Sequence, residues 1–282
     1  MVKVISDSTS DLSLELRERY NIDIIPLHVY LGKEEYRDGI DITPEKIFTW
    51  SDANNTTPKT SAPSSEDVIE VYKKNLEKYE QLVVFTISSS MSASYNVCRL
   101  AAEEIGEEDR ITVIDSANLS TGVGHLVIEA AIMASEGKNM HEIEEAMAKL
   151  KGLVRSSFTV DTLTFLHRGG RCSSIAAFFG SALKLHPRIV VENGAMRSDK
   201  KYRGSLERVI MKYTEDLREE LKDAKKDRVF ITHSCTPEIV DKVKDFLKSL
   251  NIFDEILDTK TGGVIASHCG PGTLGILYMK KP

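Results

Sequence analysis

Short apolar runs alternate with amphipathic stretches along the first half of the chain. Val2–Ser6 is apolar and short enough for a buried strand, and the polar "DSTSDL" at 7–12 separates it from the helical stretch "SLELRERY". Ile22–Leu31 reads as the next strand. Thr43 followed by Pro44 puts a hydroxyl at an N-cap and a proline at the first helical position, predicting a helix to about Ser51. Residues 54–65, "NNTTPKTSAPSS", read as a polar loop with two prolines. Ser64 or Ser65 then caps a helix with Val68, Ile69, Val71, Tyr72 and Leu76 at helical spacing. Leu82–Ile87 reads as a buried strand, 92–105 as a helix and Ile111–Ile114 as a strand. Two helices follow, over 122–135 up to Gly137 and over 140–151. This alternation predicts a parallel sheet with helices on its faces.

After residue 152 the texture changes. "VRSSFTVDT" reads as a strand, and "LTFLHRGGRCSSIAAFFGSALK" as a turn and an apolar helix. Asn193-Gly194 is a hairpin signal between two strand-like runs. An amphipathic helix over 205–222, a strand at Val229–Thr232 and a helix over 237–250 precede a glycine-rich end. Hairpins mixed with helices predict an α+β unit with a mixed sheet. The expected organisation is an N-terminal α/β domain, 1–155, and a C-terminal α+β domain, 156–282, without internal repeats.

A length of 282 residues suits two domains, and 41% hydrophobic residues suffice for a sizeable core. The net charge of −6 and the scattered lysine pairs, at 73–74, 200–201, 225–226 and 280–281, argue against a nucleic-acid partner. The cysteines at 98, 172, 235 and 269 show no C-x-x-C spacing, so neither a zinc knuckle nor a thioredoxin motif is expected. The first residues lack the apolar core of a signal peptide, and no apolar run reaches the roughly 18 residues of a membrane span. The expectation is a cytoplasmic, monomeric protein with reduced thiols.

Candidate chemistry gathers in three places. In "TISSSMSASYNVC", 86–98, five of the seven residues from Ser88 to Ser94 are serine, at a strand–loop–helix turn. Free N–H groups and the helix dipole there favour an anion, and hydroxyls add donors without fixed charge. Ser92 lies nearest the cap, with the N–H groups of Ala93 and Ser94 behind it. The second cluster holds Thr60 and Ser61 before Pro63. The third, "HCGPGTLG" at 268–275, begins with His268, which can donate to an oxyanion. Each has an ordinary reading as well: a capped helix, a solvated connector, a tight turn. Arg168 and Arg171 in "RGGRCSS" either clamp an anion or border a turn. The chain lacks a P-loop, a G-x-G-x-x-G after its first strand and a paired-histidine motif, so no nucleotide site, metal or cofactor is expected. No glycines flank the serines as a nucleophile elbow requires, which disfavours the alternative of a self-sufficient serine hydrolase acting on acyl esters through a serine and His268.

Together these motifs resemble the DegV family, whose members bind fatty acids. The resemblance runs the whole length, through "DSTSDL" (7–12), "KTSAPS" (59–64), "SSSMSASYN" (88–96), "DSANLSTGVG" (115–124), "LTFLHRGGR" (163–171) and "HCGPGTLG" (268–275). It implies two α/β lobes with one long-chain fatty acid, such as palmitate, between them. Its carboxylate would be held at Thr60 and Ser92, with Ser61, Ala93 and His268 as neighbours. The family's best-understood members carry the acyl chain for a bacterial fatty acid kinase, in which a separate subunit supplies ATP and magnesium. The resemblance therefore implies a lipid-binding protein of fatty acid metabolism, not itself an enzyme, with a kinase subunit as partner and transient membrane contact. An apolar tunnel is needed, and Phe178 and Phe179 in "SSIAAFFGSAL" are candidates for its wall, although core packing is the commoner use of such residues. The chain departs from the family pattern at Ala62 (glutamine), Ala93-Ser94 (glycine-threonine), Cys172 (isoleucine) and His186 (lysine).

Overall fold

The computed structural model describes residues 1–172 and 185–282. The first half contains β1 (Val2–Asp7), α1 (Leu14–Arg19), β2 (Ile22–Ile25), β3 (His28–Leu31), β4 (Glu34–Arg37), α2 (Pro44–Asn54) and β5 (Lys59–Ser61). It continues through α3 (Ser65–Leu76), β6 (Gln81–Thr86), α4 (Ser94–Glu104), β7 (Ile111–Asp115), α5 (Thr121–Ser135) and α6 (Met140–Leu150). The second half begins with β8 (Val154–Thr159), α7 (Thr164–Gly169), β9 (Leu185–Glu192), β10 (Ala195–Arg203), α8 (Leu206–Asp216) and α9 (Arg218–Leu221). It ends with β11 (Ala224–His233), α10 (Pro237–Ser249), β12 (Glu255–Lys260), α11 (Gly263–Cys269) and β13 (Leu274–Lys280).

These strands build a mixed α/β architecture. A four-stranded parallel sheet has the order β2-β1-β6-β7. A six-stranded sheet has the order β10-β9-β8-β13-β11-β12 and is antiparallel except where β11 meets β12. A small antiparallel sheet, β4-β3-β5, was not anticipated.

Helix α5 lies between the two large sheets. Its Val123, Leu126, Val127, Ile128 and Ala130 are fully buried, in one cluster with Val4 and Phe85 of the parallel sheet and Phe230, Leu277 and Met279 of the mixed sheet. A helix apolar on all faces needs partners on both sides, which the two sheets supply. His125 is buried in the same helix. It bonds the Leu277 carbonyl at 3.0 Å and meets the Phe230 ring edge-on, and burial pushes its pKa down to about 3.

Local signals read correctly include the Thr43 cap, whose Oγ1 accepts from the Lys46 N–H, and the Ser64 cap of α3. Asn193 and Gly194 both take positive φ, 49° and 78°, as the tight β9–β10 turn requires. Other expectations are corrected. The strand expected over Ile22–Leu31 is divided at Pro26, which has no N–H for a ladder. Beyond it Leu27 leaves the parallel sheet, its N–H bonding the Ser8 hydroxyl and its carbonyl the Asp38 N–H. The loop expected over 54–65 contains β5, and the helix expected over 205–222 is two helices meeting at Leu217. Strand β12 and helix α11 were not foreseen.

Gly122 shows how closely α5 is seated: an added Cβ would lie 2.1 Å from Asn118 Oδ1 and 2.4 Å from Ser156 Oγ. Gly122→Ala is therefore expected to lower the urea unfolding free energy by about 1–3 kcal/mol. Gly152→Ala, where nothing lies within 4 Å, should stay within about 0.5 kcal/mol of the parent. Equal effects of the two substitutions would contradict this packing.

Candidate ligand-binding site

The carboxyl end of β1 anchors the region. Asp7 is fully buried and accepts from the Thr9 N–H and hydroxyl through Oδ1 and from the Ile87 N–H, 2.8 Å, through Oδ2. Burial raises its pKa to about 6 against the opposing pull of those donors. The Ile87 bond fixes the start of the serine loop.

Most of the loop's hydroxyls are structural. Ser88 Oγ donates to the Gly194 carbonyl at 2.7 Å, joining the β9–β10 turn to the loop, and Ser89 bonds Asp115. Ser94 opens α4, and its hydroxyl pairs with that of Ser92 at 2.8 Å. Ser92 alone of the five lines the neighbouring cavity. Ala93, not Ser92, occupies the N-cap position. The N–H of Ser94 is taken by Ser92 Oγ, at 3.3 Å, so the cradle of many serine donors expected from sequence reduces here to Ser92 and the adjoining Ala93.

The cavity measures about 190 Å³. Thr60, Ser61, Ser92, Ala93 and His268, drawn from three distant stretches of sequence, all line it. Its apolar walls include Leu27, Ile87, Met91, Leu119, Met196 and Ile265. Pairing of Thr60 with Val29 across β5 and β3 sets Thr60 in place. Helix α11 brings His268 from the other side, and Thr60 Oγ1 lies 2.8 Å from His268 Nε2. Ser61 is exposed at the rim, with its hydroxyl on the Ala62 carbonyl.

The imidazole is tightly held. An added Cβ at Gly169 would lie 2.4 Å from His268 Nδ1, so α7 closes over the ring. Nδ1 is buried and has no hydrogen-bond partner among the described residues. Burial, and secondarily the charge of Arg171, push the His268 pKa down to about 4. The ring is therefore neutral near pH 7. An orphaned buried N–H is rarer than an orphaned acceptor, which places the proton on Nε2, donating to Thr60. Thr60 then has its own hydroxyl proton free for a ligand.

Arg171 lines the cavity and donates to the Gly169 carbonyl at 2.7 Å, whereas Arg168 is exposed and does not line it. Phe178 and Phe179 lie outside the described residues. Sequence reasoning missed the walls Leu27, Met91, Leu119 and Met196; their only sequence signal is nearness to a turn or motif. Cys172 is buried against the Met196 carbonyl, and His186 bonds the Val160 carbonyl at 2.9 Å. Neither lines the cavity, whereas Ala62 and Ala93 do.

A family model described as "Uncharacterised protein, DegV family" matches residues 1–281. The chain belongs to the DegV family. A fatty acid-binding protein of Thermotoga maritima is 32% identical to this DegV chain over 97% of it and 96% of its own length. A solved DegV family structure from Thermus thermophilus, described for its fatty acid binding, superposes with a TM-score of 0.91 at 32% identity, over 99% of each chain. A stearic acid-binding protein from Eubacterium ventriosum superposes with a TM-score of 0.87 at 29% identity, over 100% of this DegV chain and 99% of its own.

The depressed His268 pKa carries a stability consequence. Between its unfolded value, about 6.5, and about 4, the unfolded chain binds a proton here that the folded chain does not. This contribution is present above pH 6.5 and is lost as the pH falls through that window. Asp7 acts oppositely, because its folded pKa lies above its unfolded one. The stability difference between wild type and His268→Gln isolates the histidine. It should shrink by up to about 1.4 kcal/mol per pH unit from pH 6 to 4.5. A flat difference would mean that His268 is not held neutral.

Proposed function

We propose that this DegV protein binds one long-chain fatty acid and presents its carboxylate to a separate ATP-dependent kinase subunit. The carboxylate would accept hydrogen bonds from Thr60, Ser92 and the Ala93 N–H, with Ser61 at the rim and Arg171 as the nearby cation. His268 supports the site through Thr60. The observation that carries this proposal is the Thr60–His268 hydrogen bond in the same small, largely apolar cavity as Ser92. Relatives described as fatty acid-binding proteins, similar along their whole length, support the ligand class.

The polar groups and the walls divide the work. Each buried CH₂ is worth about 0.8 kcal/mol, so the tail dominates affinity and the hydroxyls fix orientation. The 190 Å³ enclosed by the described residues is below the usual range for a whole-ligand pocket, roughly 300 Å³ and upward. It suits the head group and the first part of the chain.

A self-sufficient acyl-ester hydrolase would need an acid behind the imidazole to orient and charge it. The buried Nδ1 of His268 has no partner among the described residues, which favours a binding role. In the proposed partnership a carboxylate oxygen attacks the γ-phosphorus of ATP bound by the other subunit, and acyl phosphate and ADP form. The absence of a nucleotide-binding glycine loop in this chain agrees with ATP residing elsewhere. No helix among the described residues is long and apolar enough to cross a membrane.

Calorimetry of delipidated protein tests the head-group assignment. Thr60→Val with Ser92→Ala is expected to weaken palmitate by roughly tenfold or more, and hexadecanol by less than about threefold. The wild-type complex, mixed with ATP, magnesium and a fatty acid kinase ATP-binding subunit, should form acyl phosphate that hydroxylamine traps. Failure of wild-type protein to take up palmitate would remove the proposal, and uptake without phosphorylation would remove its kinase part.

A further inference from the structure

We infer that Asp11 and Asp38, neither of which lines the binding cavity, are positioning residues for it: they grip the entry to α11, and α11 carries His268 to Thr60. Asp11 Oδ1 accepts from the Gly262 N–H at 2.8 Å, and Asp38 Oδ1 accepts from the Gly263 N–H at 2.6 Å. Both carboxylates are buried, Asp38 completely. The two glycines admit this approach. An added Cβ at Gly262 would lie 2.9 Å from Asp11 Oδ1, and one at Gly263 3.0 Å from Asp38 Oδ1.

Helix α11 is a strut of seven residues, about 10 Å long. Val264, Ile265, His268 and Cys269 face the cavity from it. Its far end is fixed by the Thr60 bond and by Gly169 packed on the ring. So short a helix has little stability of its own, and its placement depends on what holds its ends.

Each aspartate also ties a second wall of the cavity. Asp11 Oδ2 accepts from the Ser120 hydroxyl at 2.6 Å. Ser120 adopts φ 54° and ψ −145°, a conformation costly for a residue with a side chain, directly after the cavity residue Leu119. Asp38, through its own N–H, bonds the carbonyl of the cavity residue Leu27 at 2.8 Å. The walls at Leu119 and Ile265 are thus referred to this pair of side chains, and the wall at Leu27 to the Asp38 main chain. The inference rests on the proposed fatty acid site only for its ligand readout; the state of the imidazole is a separate readout.

The test uses full-length protein with ¹⁵N-labelled histidine. His268 of the wild type should titrate near pH 4. In Asp38→Ala and Asp11→Ala its pKa should rise above about 5 as the ring loosens from its buried seat, and palmitate affinity should fall at least roughly fivefold. The matching Asn variants keep an acceptor for the glycine N–H and should restore both readouts to within about twofold in affinity. Should the alanine variants not fold, Gly262→Ala disturbs the same joint with both carboxylates retained and should produce the same His268 shift. Folded variants in which the His268 titration and palmitate affinity both stay at wild-type values would overturn the inference. Wild-type protein that binds no palmitate would end the proposed function, while the His268 titration would still decide the role of the aspartates.

Discussion

One hydrogen bond joins the parts on which this site depends. Thr60 sits on a three-residue strand from the first half of the chain, and His268 near the end of a seven-residue helix from the second; their side chains meet at 2.8 Å. Burial keeps the imidazole neutral, so it can serve as a fixed donor without adding charge to an apolar cavity. A neutral donor behind a hydroxyl suits a weakly solvated carboxylate, because the hydroxyl is oriented before the ligand arrives. Changes that move β5, α11 or the α7 glycine pressed on the ring therefore act on the Thr60–His268 pair.

The scaffold makes such a joint possible by bringing distant segments into one rigid frame. Helix α5 packs against both large sheets, and a single apolar cluster runs from Val4 to Met279. Around it, buried carboxylates accept main-chain N–H groups at points where the chain must turn. Asp7 holds Ile87, Asp11 holds Gly262 and Asp38 holds Gly263. Truncating any of them leaves a buried N–H without a partner, a cost of about 1–3 kcal/mol each. The "DSTSDL" motif supplies two of the three, and none of its residues lines the cavity around Thr60 and His268.

The fold was legible wherever the signal was local. The Thr43-Pro44 and Ser64 helix starts, the Asn193-Gly194 turn and the strand–helix alternation before residue 152 need only neighbouring residues to be understood. Elements defined by their partners were not legible. Lys59–Ser61 is a strand because it pairs with β3, and Pro26 moves the chain from one sheet to another within what looks like one apolar run. Helix α11 is too short to show a period, and glycines at 262 and 270 flank it. Thr60, Ser92 and His268 were picked out because each stands in a distinctive motif. Arg171 reads equally as a clamp or as the border of a turn, and Leu119 and Met196 carry no chemical mark; only the tertiary structure brings them to the cavity. The sequence of the serine loop suggests more ligand donors than the loop offers, since Ser88, Ser89 and Ser94 bond to the protein itself.

Native mass spectrometry of the protein purified without added lipid tests the central claim most directly. Wild-type protein is expected to carry one free long-chain fatty acid per chain, and Thr60→Val with Ser92→Ala to lose it under gentle activation that leaves the wild-type complex intact. A wild-type protein that carries no fatty acid and takes none up, or a double variant that retains it as firmly as the parent, would contradict the account.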